Sequence, residues 1–156
     1  MTEPVAGFEL PLLLFGGFRS LIDDLHIALA AQGHTEMRPA HGFALQAIGS
    51  QGATAADLGR RLGVSKQAAG KTIDRLVQLG YVSKAVDRSD ARRQTVQLTD
   101  RGWDVLRQSA LIFDQLRAAW AQRVGERALT DLEESLRRVV GPAALRLDTA
   151  GWFGSV

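Results

Sequence analysis

Ser65, Lys66, Gln67, Lys71 and Arg75 lie within one short stretch of this chain, and Arg88, Arg92 and Arg93 cluster a little further on. Lys and Gln donate hydrogen bonds to base edges, and Lys and Arg reach phosphates, so these side chains offer recognition of nucleic acid. Ala68 and Gly70, set among them, are small enough to let a helix lie close against bases. For isolated Lys and Arg, a solvated helix face would be the better reading. Residues 60–93, however, hold nine Lys or Arg against three acids, a formal +6, whereas the whole chain carries +2. Positive charge concentrated around one motif favours a nucleic-acid partner. Catalysis is not expected: no nucleophile–base pair, Gly-rich phosphate loop or Asp/Glu/His metal cluster is visible, and Ser65 serves better as a helix cap than as a nucleophile. No cofactor and no metal are expected.

These residues need a scaffold, and the stretch AADLGRRLGVSKQAAGKTIDRLVQLGY (55–81) supplies one. It reads as a short helix, a tight turn and a longer helix, the arrangement of a helix-turn-helix. Thr54 can cap the first helix, with Asp57 in its first turn; Leu58 and Leu62 share its inner face. Gly63 ends that helix, Val64 plugs the turn and Ser65 caps the next. Ala69, Ile73, Leu76 and Val77 then recur at helical spacing until Gly80.

After Gly80, Tyr81–Val86 alternates like a strand, and Thr95–Leu98 is its return partner. The charged loop DRSDARR (87–93) joins them. A basic loop on a two-stranded ribbon beside a recognition helix is a wing, suited to a neighbouring minor groove.

Helices flank this basic middle. From Pro11, Leu14, Phe18, Leu21, Ile22, Leu25 and Leu29 follow helical spacing, with Gly16-Gly17 as a weak point. Leu12, Leu13 and Phe15 fall off that stripe and call for a second surface, most simply a partner subunit. Arg38-Pro39 opens a short helix carrying Phe43, Leu45, Ala47 and Ile48. Thr99 can cap a long helix over 100–124, with Trp103, Leu106, Ala110, Phe113, Leu116 and Trp120 on one side. A last helix from Glu126 carries Leu129, Leu132, Leu136, Val139 and Val140, and ends at Gly141-Pro142. Residues 99–141 hold seven Arg and seven acids, a neutral balance that fits protein–protein packing better than DNA contact.

The predicted fold is therefore mainly α with a small two-stranded β wing: a winged helix-turn-helix with N- and C-terminal dimerisation helices. Residues 1–36 form the N-terminal tail and dimerisation helix, 37–99 the DNA-binding region, and 100–156 the C-terminal dimerisation helices and tail, where Trp152-Phe153 has no assigned role. At 156 residues the chain folds as one domain without staples. It has no cysteine, which excludes disulfides and thiol-based peroxide sensing and suits a reducing cytoplasm. The apolar run Leu10–Phe15 is too short to span a membrane and lacks the basic flank of a signal peptide, so a cytoplasmic protein is expected.

The segment 55–102 resembles the MarR family of bacterial winged-helix transcriptional regulators. The wing carries the family's D-x-x-D-x-R and L-T-x-x-G patterns as Asp87, Asp90, Arg92, Leu98, Thr99 and Gly102. The helix order agrees over about 11–141, and neither tail is covered. The resemblance implies a homodimer with intertwined first and last helices, two winged lobes reading a palindromic operator, and Ser65, Lys66, Gln67, Lys71 and Arg75 along the recognition helix. Arg92 would sit in the wing, either in the minor groove or paired with Asp87 or Asp90. The bland Ala68-Ala69-Gly70 segment departs from a side-chain-rich code and leaves room for readout of DNA shape.

The resemblance also implies a repressor released by a small aromatic effector bound between the dimer region and the lobe. Phe15, Phe18, His26, His41, Phe43, Phe113 and Trp120 are the candidates, although an aromatic stripe at helical spacing also reads as plain core. The alternative function is a winged-helix protein-interaction module without specific DNA binding.

Overall fold

The computed structural model describes residues 6–86, 89–90 and 92–142. Asp87, Arg88 and the Trp152-Phe153 pair lie outside them. Among the described residues six helices and three short strands follow in the order α1 (Glu9–Ala31), α2 (Pro39–Ile48), β1 (Ala53–Thr54), α3 (Ala55–Leu62), α4 (Lys66–Gln78), β2 (Val82–Val86), β3 (Gln94–Leu98), α5 (Asp100–Val124) and α6 (Glu126–Val140).

The local signals place the middle of the chain accurately. Thr54 caps α3 reciprocally: its hydroxyl accepts from the Asp57 N–H, and the Asp57 carboxylate accepts from the Thr54 N–H. Those bonds hold the Asp57 carboxyl below the ordinary carboxylate range. Gly63 takes the left-handed conformation (φ 67°) that turns the chain from α3 into α4, where Ser65 accepts from Ala68 N–H. Thr99 caps α5 by accepting from Gly102 N–H.

The sheet is antiparallel in the order β1-β3-β2, with Lys84 opposite Val96 and Ala53 opposite that same residue from the other side. The expected two-stranded wing therefore carries a third strand. β1 is only two residues long and has no alternation of its own; it exists because β3 offers it a free edge.

α1 also differs from expectation. It starts at Glu9 rather than Pro11, with Pro11 still in the first turn where its missing N–H costs nothing, and it runs unbroken through Gly16-Gly17.

One core holds the lobe together. Leu25 and Leu29 of α1, Leu45 and Ile48 of α2, Leu58 and Leu62 of α3, Ile73 and Leu76 of α4, Val82 and Val96 of the sheet, and Val105 and Ile112 of α5 are all buried in it. The fully buried positions of α5 are Gly102, Val105 and Ile112, while Leu106, Phe113 and Leu116 of the expected stripe pack against the same core half-buried and Trp103 is exposed. Gly102 marks a close approach. A Cβ on Gly102 would lie 2.2 Å from the Tyr81 carbonyl oxygen, so only glycine lets the first turn of α5 settle against the start of β2.

A polar knot pins the same junction. The buried Tyr81 hydroxyl donates to His34 Nδ1 at 2.7 Å and accepts from Arg101 Nη2 at 3.3 Å, while the Arg101 guanidinium lies 4.7 Å from the centre of the Tyr81 ring. Asp104 approaches His34 Nε2 at 3.8 Å. Burial pushes the His34 imidazole below its ordinary pKa, and the nearby Arg101 charge adds to that effect. The loop after α1, the entry to the wing and the start of α5 therefore meet at one buried set of hydrogen bonds.

Candidate nucleic-acid interface

Capping and core packing fix α4 with Ala69, Ile73 and Leu76 inward, which leaves Ser65, Lys66, Gln67 and Lys71 exposed on the opposite side. The wing rises beside them. Between α4, the first turn of α3 and the wing runs a groove of about 570 Å³. Lys66, Gly70 and Asp74 form one wall, and Lys84, Arg92, Arg93 and Gln94 form the other. A groove of this shape can take a phosphodiester strand against its cations while the outer face of α4 meets base edges.

The cations are not equivalent. Arg75 donates to Glu36 Oε1 and Gln78 Oε1, both at 2.7 Å, which ties the recognition helix to the loop after α1. Lys84 Nζ lies 2.6 Å from Asp74, bridging strand to helix across the groove. Arg93 faces Asp57 at 3.8 Å, where Arg60 is already bound. By contrast, the side chains of Lys66, Lys71 and Arg92 have no ion pair among the described residues. The backbone N–H of Arg92 donates to Asp90, so the acid shapes the turn without neutralising the guanidinium. Of the expected contact residues, the structure thus gathers Lys66, Arg92 and Arg93 around the groove and sets Ser65, Gln67 and Lys71 along the exposed helix. It turns Arg75 toward Glu36, and Arg88 is not described.

Lys84 was missed from sequence. Its signal is the ribbon register: it sits opposite Val96, on the stretch of β2 that faces Asp74 of α4. Arg61 was missed as a structural cation; it donates to the carbonyls of Ala47 (2.6 Å) and Gly52 (3.3 Å) and fastens α3 to the end of α2.

The aromatic candidates also separate. Phe18, His26, Phe43 and Phe113 line one apolar cavity of about 140 Å³ between α1, α2 and α5, together with Leu29, Met37 and Val105. Trp120 instead lines a second, more open groove against α6, which Phe113 shares. Phe15 is exposed on α1. His41 is buried with Nδ1 accepting from Arg38 N–H, and burial, then the Arg38 charge, lowers its pKa. No group of three or more His, Cys, Asp or Glu among the described residues could hold a metal ion.

A capped helix-turn-helix, a β wing and a basic groove between them define a winged-helix protein, the class that docks a helix in a DNA groove. The MarR family model matches residues 36–93, from the loop before α2 through the wing, so this winged-helix region is similar to the MarR family. Members of that family are transcription regulators rather than enzymes.

The fold extends well beyond the matched segment. RV1404 from Mycobacterium tuberculosis is 21% identical, covers 92% of this chain and 99% of its own, and superposes with a TM-score of 0.74. The reduced form of MarR from E. coli is 23% identical, with 90% and 100% covered and a TM-score of 0.72. A mutant MepR from S. aureus bound to an oligodeoxyribonucleotide is 16% identical, with 88% and 97% covered and a TM-score of 0.64. At these identities the likeness is one of fold. Comparison with curated protein sequences gives no significant match. No helix among the described residues is long and apolar enough to cross a membrane.

Proposed function

We propose that this chain is a cytoplasmic transcriptional repressor that binds double-stranded DNA as a homodimer and is released by a small ligand. The observation that carries the DNA reading is the split among the cations: among the described residues Lys66, Lys71 and Arg92 have no ion pair on one side of a recognition helix and wing where Arg75, Lys84 and Arg93 each face an acid. α4 lies in a major groove, with Lys66, Gln67 and Ser65 toward bases and Lys71 toward phosphate. The wing brings Arg92 to the adjacent minor groove.

Residues 37–99 are the reading lobe, and 1–36 with 100–156 are the dimerising arms. Phe8, Leu12, Leu13, Leu111, Leu132 and Val139 are exposed on those arms, and a second copy is the partner that a two-fold reader requires. Pairing on a two-fold axis makes the operator palindromic. The cavity between α1, α2 and α5 is the effector site, because it borders both the arms and the α1–α2 loop that Glu36 ties to Arg75.

Selection from a library of random duplexes tests this reading. A recovered palindrome with half-sites about one helical turn apart supports it. Binding that is sequence-blind and steeply salt-sensitive removes the operator, and no duplex binding at low salt leaves a protein-interaction module instead.

A further inference from the structure

We infer that Lys84 is a DNA-phosphate contact held in reserve, and that Asp74 is an internal stand-in for phosphate that holds it and so limits DNA affinity. The inference rests on the DNA reading proposed above.

Local structure gives Asp74 no task. It is the sole acid of α4, whose other charged residues are Lys66, Lys71 and Arg75. It lies beyond the first turn, where a carboxylate gains from the helix dipole, and Asp is a poor helix former in an interior position. The acids nearby are different. Asp57 accepts from the Thr54 N–H and Asp90 from the Arg92 N–H, so each shapes the backbone. Among the described residues, Asp74 has Lys84 as its only partner. The two side chains are 68% and 35% exposed, and an ion pair this open adds little to stability.

The position of the pair accounts for it better. Asp74 stands on the α4 wall of the basic groove and Lys84 on the wing wall, so the 2.6 Å contact from Nζ to Oδ1 crosses the groove. A phosphodiester strand seated there meets a carboxylate oxygen at the place one of its own oxygens would take. Both are anionic acceptors for an ammonium at the same kind of distance. The strand must therefore displace Asp74 from Lys84 and lie beside a like charge. Lys66 and Arg92 line the same groove with no ion pair among the described residues, and each gains a phosphate outright. Lys84 only exchanges one anion for another. A free cation that meets phosphate releases a condensed counterion, whereas the exchange at Lys84 leaves Asp74 to take up a cation in return. The contact thus adds little to the salt dependence until Asp74 is removed.

The test measures affinity of the full chain for a fluorescent duplex of arbitrary sequence, by anisotropy across a salt series. Asp74→Asn should bind about fivefold more tightly than the parent, and log K should fall more steeply with log salt, by about 0.9 in slope. In the Asp74→Asn background Lys84→Ala should then cost about tenfold, as for any free groove cation. Lys84→Ala alone should also weaken binding, because it leaves Asp74 facing the strand; this keeps the inference open to refutation if Asp74→Asn does not fold. Asp23→Asn is the matched control: it removes the same charge from an exposed pair with Arg19 on α1, which lines no part of the groove, and should leave affinity unchanged. A strut that merely props the wing predicts the opposite sign, a loss of affinity in Asp74→Asn. That loss, an unchanged salt slope, an equal gain in Asp23→Asn, or a Lys84→Ala variant that binds like the parent would each overturn the inference while the DNA reading stands. A parent that binds no duplex at low salt removes the DNA reading and the inference with it.

Discussion

The lobe and the arms of this molecule are built from similar helices but solve opposite problems. In the lobe, Leu58, Leu45 and Leu76 are 0% exposed, each helix begins on a matched cap or a helix-compatible proline, and most cations have assigned partners. In the arms, Leu12 and Leu13 are 63% and 69% exposed and Val139 is 84% exposed. α1 crosses from one regime to the other along its own length, apolar in water at its start and buried at Leu25 and Leu29. α5 and α6 are clamped to one another by Arg117, whose guanidinium binds Glu133 through Nε (2.8 Å) and Nη2 (3.1 Å) and Glu126 through Nη1 (2.9 Å). This pairing raises the Arg117 pKa and lowers that of Glu133. The lobe is therefore complete in one chain, whereas the arms are ordered with apolar side chains still exposed, the surface that the proposed second copy would cover.

The largest expected effect breaks the lobe. Gly102→Ala places a methyl against the Tyr81 carbonyl and against Leu98 Cδ2, 2.9 Å away, and neither the sheet nor α5 can retreat without opening the core. A loss of about 3 kcal/mol or more is expected, read as a fall in the urea midpoint at unchanged m. If Gly102→Ala unfolds like the parent, the lobe is looser than its packing implies.

Next come the arms. Leu12→Asp with Leu13→Asp should leave the lobe folded but convert the dimer to monomer in sedimentation equilibrium. Duplex affinity should fall by about a hundredfold, because a lone lobe loses the effective concentration supplied by its linked twin. A double variant that stays dimeric would place the partner surface elsewhere.

A smaller effect separates cations within the lobe. Lys66→Ala and Arg92→Ala should each lower duplex affinity by about tenfold and flatten its salt dependence, since each removes a charge that has no ion pair among the described residues. Arg75→Ala should cost less affinity, because Arg75 is committed to Glu36 and Gln78. Equal losses for all three would mean that the Glu36 pair opens on DNA.

Much of this difference between regions was legible in the sequence, and the parts that were not share one cause. Thr54, Ser65, Thr99 and Gly63 announce their turns through neighbours three residues away, and the structure uses all four as read. The wing strands follow from alternation, and the winged-helix class follows from the caps and charge together. What sequence spacing could not show is pairing at a distance. Glu36 reaches Arg75 across 39 residues, and His34 reaches Tyr81 across 47. β1 is a strand only because β3 is beside it. The closest approach of α5 is set by Gly102, since a missing side chain governs how closely two elements approach, while Leu106, Phe113 and Leu116 of the expected stripe pack beside it. Of the seven aromatic and histidine candidates for the pocket, four converge because α1, α2 and α5 happen to cross there, a tertiary fact that helical spacing does not carry.

The smallest effect tests the joint between the two regions. His34 is buried, and its pKa is lowered from an ordinary 6.5, first by burial and then by Arg101. His41 shifts the same way from the same value. A base whose folded pKa lies below its unfolded one binds fewer protons when folded, so stability is fully present above pH 6.5 and declines as pH falls from there toward the folded values. Protonation would also give His34 Nδ1 a hydrogen where it now accepts from the Tyr81 hydroxyl, and would set a second cation beside Arg101. Asp104 opposes this only partly, being 3.8 Å away and shared with Arg107. His34→Gln keeps an acceptor for Tyr81 without the titration, so its urea midpoint should vary less than the parent's between pH 6.5 and 5. Only the slope owed to His41 should remain. A variant with the parent's full pH dependence would show that the joint between arm and lobe does not titrate, and that the pH response belongs to α2 instead.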